Sequence, residues 1–173
     1  MRFHYTDGMR DTNIVLSATA LALVVACGGA PSRPASDGAP GAGGESAEAR
    51  CLAALGVKHE RKAGEPDRIG VKHVLVRYAG AKRAPESITR TRGQACLRAE
   101  EALAKLQQGT TFAEVVREYS DESGADTREG TLGTVERSDV APSFADAAFE
   151  LHVNEVSAVI ESPFGFHLIL RYE

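Results

Sequence analysis

The stretch Ile69-Gly-Val-Lys-His-Val-Leu-Val-Arg77 is rich in β-branched residues set in near-alternation, which is the pattern of a β-strand. It opens the structured part of the chain. Residues 78–88 contain Gly80 and Pro85 and read as a loop. Thr91-Arg-Gly-Gln94 has capping-box form, in which the Thr and Gln side chains satisfy backbone donors at a helix start. The helix it opens is predicted to reach about Gln107, with Cys96, Ala99, Leu103 and Leu106 on one face, and Gly109 stops it. Thr111-Phe-Ala-Glu114 is a second capping box, for a helix ending near Tyr119. Residues 120–130 are polar and form a loop, and Gly130 to Val135 is a short strand. Ser143 begins a small helix carrying Phe144, Ala147, Ala148 and Leu151. Asn154-Glu155 makes a turn, and Val156 to Ile160 and Phe166 to Tyr172 read as a closing antiparallel pair. The order β-α-α-β-α-β-β predicts an α+β domain over residues 67–173, long enough for one core.

The residues before this domain differ in kind. Ile14 to Ala26 is an uncharged, mostly apolar run of 13 residues. A spanning helix needs about 20, so the run suits the apolar region of a secretory signal instead. Arg2 and Arg10 precede it, and Met9 is a second candidate start. The run ends in Val24-Val25-Ala26-Cys27, which resembles the bacterial lipobox. That resemblance implies cleavage after residue 26 and lipidation of Cys27. Gly28, not Asp, follows, and this implies an outer-membrane anchor facing the periplasm. From Gly28 to Arg50, 18 of 23 residues are Gly, Ala, Ser or Pro, so too little apolar surface is present to offset ordering entropy. Residues 27–66 are expected to be a lipidated Cys and a flexible tether, with a short helix starting at Cys51. In an oxidising compartment Cys51 and Cys96 could pair, though sequence leaves their geometry open.

Six segments then occur in order: Lys72-His-Val-Leu-Val76, Phe112 through Tyr119-Ser120-Asp121, Gly130-Thr-Leu-Gly133, Phe144-Ala-Asp-Ala-Ala-Phe149, Asn154-Glu-Val-Ser157 and Phe164-Gly-Phe-His167. Together they resemble the parvulin family of peptidyl-prolyl cis/trans isomerases across residues 69–173. Ser87-Ile-Thr-Arg-Thr-Arg92 and the ending Ile169-Leu-Arg171 are most similar to its phospho-Ser/Thr-Pro-specific branch. The WW module often fused there cannot be present, because the chain has no Trp. The resemblance implies a four-stranded antiparallel sheet flanked by three to four helices. It also implies a monomer that acts on proline-containing polypeptides without metal or cofactor.

Rotation about an X-Pro bond is slow because amide resonance resists it. Catalysis needs an apolar slot for the proline ring and polar groups fitted to the twisted amide. The resemblance assigns the slot to Leu132, Val140 and Phe144, and assigns His73 and His167 to the site as a mutually bonded pair. It places Ser162 there as a hydroxyl. Glu122 stands where the family has Asp or Cys. Its carboxylate is expected near the prolyl carbonyl, although the 120–130 loop is about one residue longer than in the closest branch. Without the resemblance, Leu132, Val140 and Phe144 would read as plain core, the two histidines as buried structural groups and Glu122 as a solvated loop acid.

Charge is unevenly placed. The net charge is −4, yet Arg68 to Arg98 holds eight basic residues and one acid, while Ala99 to Glu173 holds five basic and fifteen acidic residues. This balance gives no reason to expect a nucleic-acid partner. Arg77, Lys82 and Arg83 match the residues that hold substrate phosphate in the phospho-specific branch. Guanidinium groups suit such anions through paired hydrogen bonds. The resemblance therefore implies a preference for phospho-Ser, phospho-Thr, Asp or Glu before proline. Export favours Asp or Glu over phosphate. Two other readings belong to different classes: a parvulin-fold chaperone without catalysis, and a module that binds phosphorylated or acidic peptides. Retention of both histidines and Phe144 favours the enzyme over the chaperone.

Overall fold

The computed structural model describes residues 2–5, 45–55, 61 and 63–173. The signal run, Cys27 and the Gly-rich part of the tether lie outside the described residues, as does His59. In chain order the elements are β1 (Phe3–His4), α1 (Ala47–Ala54), β2 (Arg68–Val76), α2 (Arg92–Gln107), α3 (Phe112–Tyr119), β3 (Thr131–Glu136), α4 (Pro142–Phe149), β4 (Glu155–Val156), β5 (Ile160–Ser162) and β6 (Gly165–Arg171). No helix among the described residues is long and apolar enough to cross a membrane.

Strand β2 sits inside the sheet, with β3 on one side and β6 on the other, all antiparallel. Successive side chains of a strand face opposite ways, so β2 and β6 each feed two cores. Val74 and Val76 of β2, with Phe166 and Leu168 of β6, pack against α2 and α3. Ile69, Val71 and Ile169 pack on the other face against α4. His73 and His167 fall on the α4 face by the same alternation. The parity of two positions thus decides which side of the sheet can become a site.

Both predicted capping boxes form. Thr91 accepts from the Gln94 backbone N–H while its own N–H donates to the Gln94 side chain, and Thr111 and Glu114 do the same. Phe112, Val115, Val116 and Tyr119 make the buried stripe of α3. The Tyr119 hydroxyl donates to Glu101 at 2.8 Å, and burial together with that carboxylate pushes its pKa up to about 12. The large apolar side chains here are fully buried, and truncating one such as Phe112 to Ala costs about 3–5 kcal/mol.

Three features depart from the sequence reading. The expected strand Val156–Ile160 splits into β4 and β5. Ser157 holds the break, since its N–H donates to the Ile169 carbonyl and its hydroxyl accepts from the Ile169 N–H. Among the described residues the sheet has six strands, not four, because β5 is separate and Phe3–His4 pairs with β4. Those first residues are tied further by an ion pair from Arg2 to Glu150 and by the Tyr5 hydroxyl, which accepts from the Phe112 N–H at 2.8 Å.

The third departure is the start of α1: the short helix expected from Cys51 begins at Ala47, inside the stretch expected to be tether. Ser46 caps it by accepting from the Ala49 N–H at 3.1 Å, and Cys51 is its buried residue. Cys51 is joined to Cys96 of α2 by a disulfide. Cross-linking residues 45 positions apart restricts the unfolded chain by an amount worth about 2–4 kcal/mol. Urea unfolding of the Cys51→Ser, Cys96→Ser variant should show stability lower by that amount with the sheet intact. A midpoint equal to that of the oxidised protein would contradict this account of α1.

Candidate active site

The two histidines meet because of register. His73 lies opposite Ile169, and His167 lies opposite Leu75, so the histidines are diagonal neighbours on one face of the β2–β6 pair. Diagonal positions are within reach of ring side chains. The rings stack nearly parallel with centroids 5.5 Å apart, and their Nδ1 atoms are 3.3 Å apart. Phe144 of α4 meets both edge-on, at 5.9 Å from His73 and 5.2 Å from His167. Pro142 at the first turn and a hydrogen bond from the Ser143 hydroxyl to the Glu161 carbonyl fix α4 at this height.

A chain of hydrogen bonds continues from the pair in both directions. His73 Nε2 is 2.9 Å from Glu122 Oε2, and His167 Nε2 is 2.7 Å from the Ser162 Oγ. With both rings neutral, one proton assignment satisfies every contact. Ionised Glu122 can only accept, so His73 donates from Nε2 and its Nδ1 is bare. His167 then donates from Nδ1 to His73, and its bare Nε2 accepts from the Ser162 hydroxyl. Ser162 Oγ in turn accepts from the Phe164 N–H at 3.1 Å.

Two groups of this hydrogen-bonded chain titrate far from their ordinary values. Burial, and then the neighbouring His73, lowers the pKa of His167 from 6.5 to about 3. The hydrogen bond from His73 is the largest cause holding Glu122 down at about 2, with the charge of Arg128 adding to it and partial burial opposing both. The site therefore carries a neutral buried imidazole and an ionised carboxylate at pH 7.

Two glycines allow the chain to approach this closely. Gly130 has φ 73°, and a Cβ there would stand 2.4 Å from the His73 carbonyl oxygen. Gly165 has φ 136°, and a Cβ there would stand 2.4 Å from the Val76 carbonyl oxygen. Beyond Gly130, side chains take over as partners of β2. The Ser120 hydroxyl accepts from the Leu75 N–H at 3.2 Å, and the Asp121 carboxylate accepts from the Arg77 N–H at 2.8 Å. Arg90 pairs with the same carboxylate.

A cleft of about 200 Å³ opens over these groups. Its walls include His73, His167, Glu122, Ser162, Leu132, Val140, Phe144, Arg77 and Arg83. The residues expected to form the slot are thus brought together with the polar chain. Phe144 is almost fully buried, whereas Leu132 and Val140 are only partly covered. Lys82 is outside the lining. It and Arg83 flank the Phe164 ring, with Lys82 Nζ 5.3 Å and Arg83 Cζ 5.8 Å from its centre. Arg77 holds this turn together, since its Nη1 donates to the Lys82 and Arg83 carbonyls at 3.1 and 3.0 Å. The Lys82 N–H donates to the Pro163 carbonyl at 2.7 Å, stitching the basic loop to the turn that bears Ser162.

The PPIC-type PPIASE domain model matches residues 56–171, and the chain belongs to that family. It is 41% identical over 111 residues to dodo of Drosophila melanogaster, a protein named for peptidyl-prolyl cis-trans isomerisation. That match covers 61% of this chain and 66% of the relative. It is 32% identical over 120 residues to the peptidyl-prolyl cis-trans isomerase ESS1 of Saccharomyces cerevisiae, covering 65% and 70%. The solved structure of ESS1 from Candida albicans superposes with a TM-score of 0.58 at 30% identity, covering 65% of this chain and 66% of that one. Foldase PrsA of Halalkalibacterium halodurans and chaperone SurA of Salmonella typhimurium match as well, but the chain spans only 22% and 24% of their lengths.

Acid should weaken the fold through these groups. In the unfolded chain His167 takes up a proton as pH falls through 6.5, whereas in the folded protein it stays neutral down to about 3. Stability is therefore lost as pH falls across that window, and Glu122 adds a loss of the same sign between 4.5 and about 2. Urea midpoints measured from pH 7 to pH 4 should fall, and His167→Asn should flatten the decline. An equal pH slope in wild type and variant would contradict the assignment.

Proposed function

We propose that this chain is a peptidyl-prolyl cis/trans isomerase acting on extended segments of exported polypeptides, with a preference for an acidic residue before proline. The observation that carries the isomerase reading is the stacked, hydrogen-bonded histidine pair with Phe144 edge-on beneath it, at the floor of a cleft whose apolar wall is Leu132, Val140 and Phe144. The proline ring enters against that wall. Rotation requires loss of amide resonance, and the planar amide places partial negative charge on the carbonyl oxygen. The ionised Glu122 carboxylate disfavours that charge-separated form and so favours the twisted amide over the planar one. His73 and His167 orient Glu122 and Ser162 and transfer no proton. A neutral His167 suits this role, since a second positive charge beside Glu122 would offset the repulsion.

The acidic preference rests on the exposed cations beside Phe164. Half of the basic segment is already paired with carboxylates: Arg68 with Glu136, Lys72 with Glu129, Arg90 with Asp121 and Arg92 with Glu161. Among the described residues, Lys82 and Arg83 pair with no carboxylate, so they remain for a substrate anion. The lipobox at Cys27 supports export and anchoring to the outer membrane, where carboxylates are commoner than phosphates on client chains; cleavage before Cys27 removes β1 and leaves the other five strands of the sheet. Labelling cells with a lipid precursor tests the anchor, with no label expected on Cys27→Ser.

A protease-coupled assay on Glu-Pro, phospho-Ser-Pro and Ala-Pro peptides tests the remainder. Acceleration is expected on all three, with the lowest KM for Glu-Pro. Lys82→Ala with Arg83→Ala should raise that KM about tenfold, or about 1.4 kcal/mol, and leave Ala-Pro unchanged. No acceleration on any peptide would end the enzyme reading in favour of a binding protein. Equal KM values on all three would end the acidic preference alone.

A further inference from the structure

Glu122 sits on an irregular loop, and such a loop does not hold a carboxylate in one place unless something clasps it. The loop from Asp121 to Gly130 closes on itself through backbone bonds. The Ala125 N–H donates to the Glu122 carbonyl at 3.1 Å, and the Gly130 N–H donates to the Ala125 carbonyl at 2.8 Å. Ala125 is its one buried apolar anchor. Lys72 pins the far end through Glu129 at 2.8 Å. None of these bonds reaches the Glu122 side chain.

Arg128 does. Its Nη2 pairs with Glu122 Oε2, the oxygen that also accepts from His73, and its Nη1 lies 3.4 Å from the Ser123 carbonyl. The guanidinium thus spans the loop from position 128 back to positions 122 and 123. Glu122 is gripped from two sides: by His73 on the sheet and by Arg128 from its own loop. The carboxylate faces His73 and, beyond it, His167 from the sheet. Arg77, Arg83 and Asp139 also line the cleft. Arg128 is the charged group that bonds it from outside the sheet.

We propose that Arg128 is a positioning residue for the isomerase reaction, holding the Glu122 carboxylate over the cleft at the angle from which it acts on the prolyl amide. This rests on the isomerase reading above. An ion pair this exposed adds little to folding stability. Its worth is geometric, because a flexible Glu needs a second contact to stay in one rotamer. A planar guanidinium can bond carboxylate and carbonyl together, whereas an ammonium offers a point charge alone.

The test is a double-mutant cycle with the full chain on an Ala-Pro peptide, where the basic loop plays no part. Arg128→Gln should lower kcat about tenfold with KM unchanged, and Arg128→Lys should recover part of the loss. In a Glu122→Gln background, Arg128→Gln should have no further effect. The urea midpoint of Arg128→Gln should fall only slightly below that of wild type. A carbon-13 titration of the Glu122 carboxyl should show its pKa rise in Arg128→Gln, and this readout does not depend on turnover. Multiplicative losses in the double variant, or a kcat that stays level or rises in Arg128→Gln, would overturn the proposal. An unmoved Glu122 titration would overturn it too, even if the wild-type protein proved inactive.

Discussion

The diagonal placement of His73 and His167 across β2 and β6 is the constraint from which the site follows. A slip of one residue in either strand would send one ring to the α2–α3 side of the sheet. The register is held by apolar neighbours on both faces, with Val74, Val76, Phe166 and Leu168 on one side and Ile69, Val71 and Ile169 on the other. Burial of the strands thus fixes a polar pair that would be costly to place in a core by itself. The pair tolerates burial because every ring nitrogen has a partner, from Glu122 through to Ser162.

Charge follows the same economy. The cations of the basic segment serve three tasks. Arg90 and Arg92 hold the loop and helix α2 to acids far away in sequence, Arg77 shapes the turn at residues 82–83, and Lys82 and Arg83 face solvent beside Phe164. Four of the eight basic residues from Arg68 to Arg98 are thus paired with carboxylates of the acidic remainder of the chain. Lys82 and Arg83 are exposed and make no carboxylate pair among the described residues.

Local signals carried most of the fold. The capping boxes at Thr91 and Thr111, the stop at Gly109 and the strand at Ile69 all depend on residues within four positions of one another, so they are readable in sequence. The resemblance to parvulins supplied the site residues, and the structure brings them round one cleft, with Lys82 just outside it. What escaped was tertiary or too short. The short helix at Cys51 and its pairing with Cys96 are open readings of the sequence, but its start at Ala47, inside a run of Gly, Ala, Ser and Pro, is not. The β4–β5 break depends on Ser157 bonding to a strand it meets only in the fold. Arg128 lies in a polar loop with no periodic signal, and nothing in its neighbours says that it turns back to Glu122.

The central claim is the polarity of the chain Glu122–His73–His167–Ser162, and nitrogen-15 shifts of the histidine rings read it most directly. At pH 7 the account predicts His167 neutral with its proton on Nδ1 and a bare Nε2, and His73 with its proton on Nε2 facing Glu122. A His167 protonated on Nε2, or on both nitrogens, would contradict it.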